Sequence, residues 1–483
     1  MLPRLVLIGL LLAPLRVSLA QDTTAVVPPK DTTTVTPPPA FRSAADSVRC
    51  GFCHRPNLPV AIFEGFLING AVNRFNAWVL HDSLFYVTSH TWHVNLQRGW
   101  DFDKDDFIVN MLGHPYNGST YFAAARDNGL SYWAGAPLVF FHSTVWEYFG
   151  ETTQPSINDL IDTGLGGLAL GEMFHRVAAT IRNNEAGGAG RTLRELAALP
   201  FDPVGTVNRL VRGEWGRKGP NPSEHNPVGT VLRVGGGVGL VRGPGPLAAS
   251  LKGADFTSIL FADLKYGDSY TDTLRKPFDA FSARILMAPG HGDLEQLVGV
   301  GRITGTELGR TDWHRHQLEL NQRFEYLNNG AIQFGAQTLQ LGVSSRVHMS
   351  GNYWLRTLVA ADGIALAAIN APGAGTGGRA YDYGPGVGGT LTAEIEHSGT
   401  PYLVVQYQPA YIHTLNGADA NHLTAFTAVE ANIPVLAHLT LTIHSTYYDR
   451  LSRYADGTRS RRRFPEIRIF AAYKTAHKAA AAQ

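Results

Sequence analysis

Two periodicities divide the chain. From about residue 229 to residue 474, apolar and polar positions alternate with a period of two, the repeat of a strand that shows a different environment to each face. Between Trp313 and Leu327 one parity reads His314, His316, Leu318, Leu320, Gln322, Phe324 and Tyr326, while the other reads Arg315, Gln317, Glu319, Asn321, Arg323 and Glu325. The pattern returns at Leu403, Val405, Tyr407 and Tyr411 against Gln406 and Gln408. It returns again at Leu439, Leu441 and Ile443 against His438, Thr440, Thr442 and His444. About twelve such segments are predicted, beginning near residues 229, 256, 278, 294, 313, 331, 350, 384, 401, 421, 436 and 464. Each is close to the length of a tilted strand that crosses a bilayer. A soluble sandwich could not bury a polar face holding Arg315, Glu319, Arg323, Glu325, Glu394, Glu396, Glu466 and Arg468, whereas the wet lumen of a barrel can.

An even strand count brings both ends of the barrel to one rim. Tight turns are predicted at 328–330, 397–400 and 433–435, with long loops at 365–383 and 449–463. The linker at 267–277 is long for the rim that carries the termini. The chain ends in Lys474 to Gln483, without a terminal aromatic residue on the last strand.

Ahead of the barrel, residues 58–215 show helical rather than alternating periodicity. Residues 1–20 read as a secretory signal, with Arg4 as the positive region, Leu5 to Leu12 as the apolar core and Ser18-Leu19-Ala20 as the cleavage site. Residues 21–57 form a leader that is Thr/Pro-rich up to residue 40 and has no apolar periodicity there, and 475–483 form a tail. The apolar stretches at 134–150 and 160–181 are interrupted by His142, Glu147, Glu172 and His175, so no transmembrane helix is predicted. The expected fold class is therefore α+β: an N-terminal helical domain followed by an antiparallel transmembrane β-barrel of about 12 strands.

Composition sharpens this. The 483 residues are 44% hydrophobic and only 17% charged, with 52 Gly and a net charge of +1, which argues against a nucleic-acid binder and suits a barrel with an apolar exterior.

The candidate chemistry lies ahead of the barrel. Both cysteines fall in Cys50-Gly51-Phe52-Cys53-His54, the spacing for covalent haem with His54 as ligand and equally the spacing of a Cys50–Cys53 disulfide in an oxidising compartment. Glu147 and Glu151 are four apart on one predicted helix, and Glu172 and His175 three apart on another. If the faces meet, Glu147, Glu151, Glu172 and His175 form half of a di-iron carboxylate arrangement, or, with His114 or Asp159, a smaller site for a divalent metal. The alternative is a buried polar network of Glu147, Glu172 and His175 with Arg126 and Arg176. Gly235 to Gly239 is not followed by a helix and is read as a flexible strand rather than a phosphate loop.

A series of motifs runs through this region in order: Gly99-Trp100-Asp101-Phe102-Asp103, His114-Pro115-Tyr116-Asn117-Gly118-Ser119, Tyr121 to Arg126, Trp146-Glu147-Tyr148, Pro155 to Leu160, Gly166-Gly167 and Gly171 to Arg176. The series, over about residues 99–213, resembles an uncharacterised bacterial family of exported, outer-membrane-associated proteins known only as a domain of unknown function. The resemblance implies an envelope location and brings no activity with it.

The resulting expectation is an outer-membrane protein with its helical domain on the periplasmic side and a channel or structural role. The alternative is a metal-dependent hydrolase acting on lipid or another envelope component, with His114, Glu147, Asp159, Glu172 and His175 as its catalytic candidates. The expected partners are outer-membrane lipid and lipopolysaccharide. The latter would be gripped by Arg450, Arg453, Arg459, Arg461, Arg462 and Arg463 of the 449–463 loop.

Overall fold

The computed structural model describes residues 52–222, 230–241, 255–270, 276–288, 293–329, 332–370, 379–397 and 400–477. The predicted signal, the leader up to Gly51 with Cys50, and the tail beyond His477 lie outside these.

Eight α-helices are followed by twelve strands among the described residues. The helices are α1 (Leu58–Trp78), α2 (Ser89–Gln97), α3 (His114–Asp127), α4 (Tyr132–Phe149), α5 (Ile157–Ile161), α6 (Gly167–Ile181), α7 (Gly188–Ala198) and α8 (Pro203–Val211). Their starts follow from side-chain caps: Asn57, Thr88, Ser131, Ser156 and Asp202 each accept a backbone N–H of the first turn. Single π-helical turns at Val109–Gly113 and Asp162–Gly166 lead into α3 and α6.

The strands are β1 (Thr230–Val241), β2 (Asp255–Tyr266), β3 (Phe281–Ala288), β4 (Asp293–Arg310), β5 (His314–Asn328), β6 (Gln333–Ser350), β7 (Tyr353–Ile369), β8 (Asp382–His397), β9 (Thr400–His413), β10 (Ala420–Leu436), β11 (Leu439–Tyr454) and β12 (Arg459–His477). Neighbours in sequence pair antiparallel, and β1 closes the ring on β12. The expected fold class and strand count hold, and the largest offset in a predicted start is 464 against Arg459.

Three local expectations are corrected. Pro434 does not turn the chain: it sits at a bulge, and β10 continues to Leu436. The 449–463 segment is not a long loop, because β11 and β12 pair out to Arg453 and Arg459 and leave only 455–458 as the turn. The last strand also runs past the predicted boundary at 474 to His477.

Parity assigns the faces. In β11, Thr440, Thr442, His444 and Thr446 are buried toward the lumen, whereas Leu441, Ile443 and Tyr447 on the other face are exposed. The outward faces of β9, β10 and β12 are similar, with exposed Leu403, Val405, Leu423, Val429, Ile467 and Ile469. This is the apolar belt of a lipid-facing wall.

The opposite wall differs. Residues 321–327 of β5 are buried on both faces. Lumen-side Arg323 and Glu325 pair with each other, while Gln322, Phe324 and Tyr326 face outward into the helical domain. Tyr132 donates to Gln322 Oε1 at 3.0 Å, Gln322 Nε2 donates to Leu165 O at 2.7 Å, and Gln337 donates to Asp162 at 3.3 Å. Phe107, Met111, Phe122, Tyr132 and Met173 share one core with Phe278, Leu297, Phe324, Tyr326 and Leu366 of the barrel. Close approach needs bare backbone on this wall. A Cβ at Gly335 would meet Met111 Sδ at 2.3 Å, and one at Gly301 would meet the Phe278 ring at 2.0 Å. The long β2–β3 connection thereby gains a reason, since Phe278 is its docking residue.

The helical domain thus packs against the outside of the barrel wall. It lies along the outward wall from rim to rim. At one end, α8 runs into the lead to β1. At the other, residues 101–110 and 156–159 reach Arg379, Tyr381 and Tyr383 beside the start of β8. In an up-and-down ring, β8 starts at the rim opposite the start of β1.

Candidate functional site

Three buried ionic groups hold the helical domain, and one of them opens on a cavity. The first is at the terminal end of the domain. There Glu195 receives Arg182 at 3.3 Å, Arg191 at 3.1 Å and Arg209 at 2.9 Å, and Arg209 also reaches Glu214 at 3.0 Å. His54 belongs to this group, with its Nε2 2.7 Å from Glu214 Oε1. Cys53 is disulfide-bonded, and the preceding Phe52 is buried beneath Arg191, Arg209 and Arg217.

The second group contains Glu172 and His175. Glu172 lies between Arg126 Nε at 2.9 Å and Arg176 Nε at 2.8 Å. Arg176 continues to Asp279 at 3.0 Å and donates to Pro277 O at 2.9 Å, both in the β2–β3 connection. His175, one turn on, sits 3.8 Å from Asp127 and 3.9 Å from Asp202. Burial and the adjacent Asp202 push Asp127 well above the usual carboxylate range. Asp202 is also buried, yet Arg182 and His175 outweigh that and hold it low.

The third group lies at the far end of α4. Glu147, Glu151 and Asp159 each bring a carboxylate oxygen within 4.8 Å of the others. Glu147 is on the last turn of α4, and Glu151 follows Gly150, which closes that helix. Asp159 is held by α5, whose cap Ser156 contributes its hydroxyl to Asp159 N at 3.3 Å and its own N–H to Glu147 Oε2 at 2.8 Å. The other oxygen of Glu147, fully buried, has no partner. His114, first residue of α3 after its π turn, places Nε2 3.4 Å from Asp159 Oδ1, and its Nδ1 is 3.3 Å from Thr163 Oγ1.

A shell of amides and tyrosines fixes this group. Asn158 donates to Asp159 at 2.8 Å and to Asp103 at 2.7 Å, and Asn110 donates to Asp103 at 2.8 Å and to Tyr381 Oη at 2.8 Å. Tyr381 donates to Asp105 O at 2.7 Å, and Arg379 donates to Asp103 O. The barrel rim thereby holds the site from behind.

Electrostatically, burial and mutual repulsion of the carboxylates outweigh His114 and Arg379. Burial, then Asp159 and Glu151, push Glu147 well above the ordinary range. Burial and Asp103 do the same to Asp159, and burial with Asp159 pushes Glu151 up to about 8. Carboxyls so placed stay neutral unless a cation arrives.

Before them is a cavity of about 680 Å³. His114, Asp105 and Glu151 line it on the side of the carboxylates, Leu67, Ile68, Val72, Phe85, Val109 and Trp146 give it an apolar wall, and Glu64, Asn117 and Asn208 add further polar groups. The structure thus unites His114, Glu147, Glu151 and Asp159 and leaves Glu172 and His175 elsewhere. The four-residue set Glu147, Glu151, Glu172 and His175 is not one site. The reason is geometric: α3 and α6 cross at Gly118 and Gly167, where a Cβ on Gly118 would lie 2.9 Å from Gly167 Cα. Glu172 and His175 are five and eight residues past the crossing, about 8 and 12 Å along the helix, while His114 is on the other side. Sequence reasoning placed Asp103, Asn110 and Asn158 among the motifs without a role. Their signal was the concentration of amides beside acids.

Residues 99–204, which include this site, match a family described as Domain of unknown function (DUF3943). No curated protein matches the chain. The barrel is similar in outline to solved structures of low identity: the NanC porin (11% identity, 51% of this chain and 100% of that one, TM-score 0.26), the outer membrane protease OmpT from Escherichia coli (10%, 52% and 97%, 0.19) and the outer membrane channel DcaP of Acinetobacter baumannii (7%, 51% and 96%, 0.23).

Proposed function

We propose that this is an outer-membrane protein whose barrel is a closed scaffold presenting the helical domain within the lipid layer, rather than an open channel. The carrying observation is a lumen bridged by ion pairs between far strands. Arg284 of β3 meets Glu430 of β10 at 2.7 Å, Arg233 of β1 meets the same carboxylate at 2.8 Å, and Lys265 of β2 lies 3.9 Å from Glu394 on the opposite strand β8. His444 adds to Glu430 at 3.3 Å. Toward the other rim the lumen turns apolar, with Phe334 of β6 edge-on to Phe426 of β10 at 5.1 Å and Phe426 on Tyr448 at 5.3 Å. Between these layers a cavity of about 400 Å³ remains. An ion crossing would have to break desolvated pairs and then enter an apolar layer.

In planar lipid bilayers the purified protein is expected to show no sustained conductance steps. Phe334→Ala with Phe426→Ala and Glu430→Ser is expected to introduce them. Steady porin-like conductance of the unaltered protein would overturn the scaffold reading.

The placement in lipid is supported by the apolar outward faces of β9 to β12 and by a helical domain that covers the outward face of the opposite wall. No described helix is long and apolar enough to cross a membrane, so α1 and α4 would lie against lipid rather than span it. Exposed Phe63, Phe66, Leu67, Phe75 and Trp78 on α1 and Trp133 and Phe141 on α4 suit that position. The charged Glu195 group at the terminal end would face the periplasm.

At the opposite rim the arginines of β11 and β12 sort by parity. Arg450 faces the lumen and donates to Asn370 at 3.0 Å, whereas Arg461 and Arg463 face outward around Asp449, at 2.9 and 3.5 Å, with half of each side chain exposed. With Arg453 and Arg459 on that outward face, the stripe would grip lipopolysaccharide phosphates, for which paired guanidinium donors are suited. Replacing Arg453, Arg459, Arg461 and Arg463 with Gln is expected to lower co-purified lipopolysaccharide several-fold. Replacing lumen-facing Arg450 alone should not. Equal retention in all variants would remove this partner.

A further inference from the structure

We propose that Glu147, Glu151, Asp159 and His114 hold a divalent first-row metal ion whose open side faces the apolar cavity, and that the cavity takes a single acyl chain with an oxygen-bearing head at the ion. The inference goes beyond the scaffold reading and rests on it only for the nearness of lipid to the helical domain.

An acidic cluster alone would not carry this. Two further observations do. The first is the unpartnered oxygen of Glu147, fully buried in a group whose carboxylate oxygens lie within 4.8 Å of one another. The neighbouring carboxylate oxygens are held: Ser156 caps one Glu147 oxygen, and Asn158 and Ser156 fix Asp159. An orphaned buried carboxylate oxygen in such a shell is a ligand position without its ion. The second is the separation of His114 Nε2 from Asp159 Oδ1, 3.4 Å. That is long for a charge-assisted hydrogen bond, yet two ligands each about 2.1 Å from one ion stand about 3 to 4 Å apart.

The donor set limits the ion. Three carboxylates and an imidazole favour Mn²⁺ or Zn²⁺ over Ca²⁺, which takes more oxygens, and over the Mg²⁺ that keeps its waters. The carboxylates belong to α4, its end and α5, and His114 to α3, with the shell anchored on Tyr381 and Arg379 of the barrel rim. Such a frame fixes ligand positions before the ion binds.

The cavity supplies the ligand class. Its apolar lining of Leu67, Ile68, Val72, Phe85, Val109 and Trp146 suits a hydrocarbon chain; among its polar residues, which also include Glu64, Asn117 and Asn208, His114, Glu151 and Asp105 stand at the ion. Lipid is at hand for a domain lying against the barrel's apolar wall.

The test uses the full-length protein in detergent, stripped with chelator. Mn²⁺ and Zn²⁺ are titrated separately by calorimetry, and an 11-dansylamino-undecanoate probe is then titrated by fluorescence with and without the ion. The unaltered protein should bind one ion per chain, and the ion should tighten probe binding at least tenfold. Glu147→Gln and Asp159→Asn keep shape and should weaken the ion at least tenfold. Val72→Trp fills the cavity and should abolish the probe while leaving the ion. Heat-modifiable mobility and circular dichroism confirm that each variant is folded. An unaltered protein that binds neither ion, or folded Glu147→Gln and Asp159→Asn variants that bind it as tightly, would overturn the metal site. Ion binding with no probe bound would overturn the acyl cavity. Neither outcome touches the conductance result on which the scaffold reading stands.

Discussion

Glu195→Ala is expected to destabilise the helical domain by about 3 to 5 kcal/mol, the cost of removing one partner from a buried ionic group. Glu195 is fully buried and is the meeting point of Arg182, Arg191 and Arg209, all nearly or fully buried themselves. Burial and then Arg209 already push Arg191 below its usual value, and Glu195 is the first group to oppose them. Without it, three guanidiniums share Asp202 and Glu214. Arg191 would retain only carbonyl acceptors of Asn183, Glu214 and Arg217. Thermal unfolding followed at 222 nm in detergent should show an early helical transition, with the barrel still resistant by gel mobility. Glu195→Gln keeps the shape but not the charge and should recover little of the loss. A change below about 1 kcal/mol would mean that water reaches these arginines, contrary to their burial.

The barrel was legible because a strand between lipid and a wet lumen must alternate, and twelve such strands need no further information to be counted. What each wall faces was not legible. On β5 the apolar parity reads the same whether it meets lipid or helices, since Phe324 and Tyr326 suit both. The available hint was Gln322 in that apolar row, with Gly299, Gly301 and Gly335 on neighbouring outward faces, where bare backbone admits Met173, Phe278 and Met111. Similarly, Arg459, Arg461 and Arg463 looked like loop because charge at a strand end resembles a solvated turn. The pairing of Arg461 and Arg463 with Asp449 across the ladder is a tertiary fact.

The candidate site was half legible for a related reason. Glu147 lies on the predicted helix, but Glu151 does not share its face as expected, because the helix ends at Phe149 and Glu151 comes beside Glu147 only after the Gly150 cap; His114 and Asp159 stood in the right motifs. Glu172 and His175 have the same i, i+3 spacing as ligands, but the crossing of α3 over α6 turns them to Arg126 and Asp127 rather than to α4's acids. Spacing within one helix says which residues share a face. The Gly118–Gly167 crossing decides which other face they meet.

That crossing also determines the second large effect. Glu172→Ala should cost about 3 to 5 kcal/mol, because both Arg126 and Arg176 direct their Nε atoms at its carboxylate from within the core. Glu172 differs from Glu195 in what it steadies. Arg176 carries the interaction into the barrel through Asp279 and Pro277, so loss of Glu172 loosens the dock as well as the helix pair. Protease nicking of the β2–β3 connection should therefore rise in Glu172→Ala. It should not rise in Glu195→Ala, whose group lies at the terminal end. His175→Ala is the internal control: its Nδ1 stands 3.8 and 3.9 Å from Asp127 and Asp202 and it does not touch Arg176's link to the barrel, so about 1 kcal/mol and no change in nicking are expected. Coupling between Glu172→Ala and Asp279→Asn in a double-mutant cycle should exceed about 0.5 kcal/mol, since both carboxylates hold one guanidinium. Strict additivity, or a Glu172→Ala variant whose connection is as protected as the unaltered protein's, would show that Arg176 does not join the two halves.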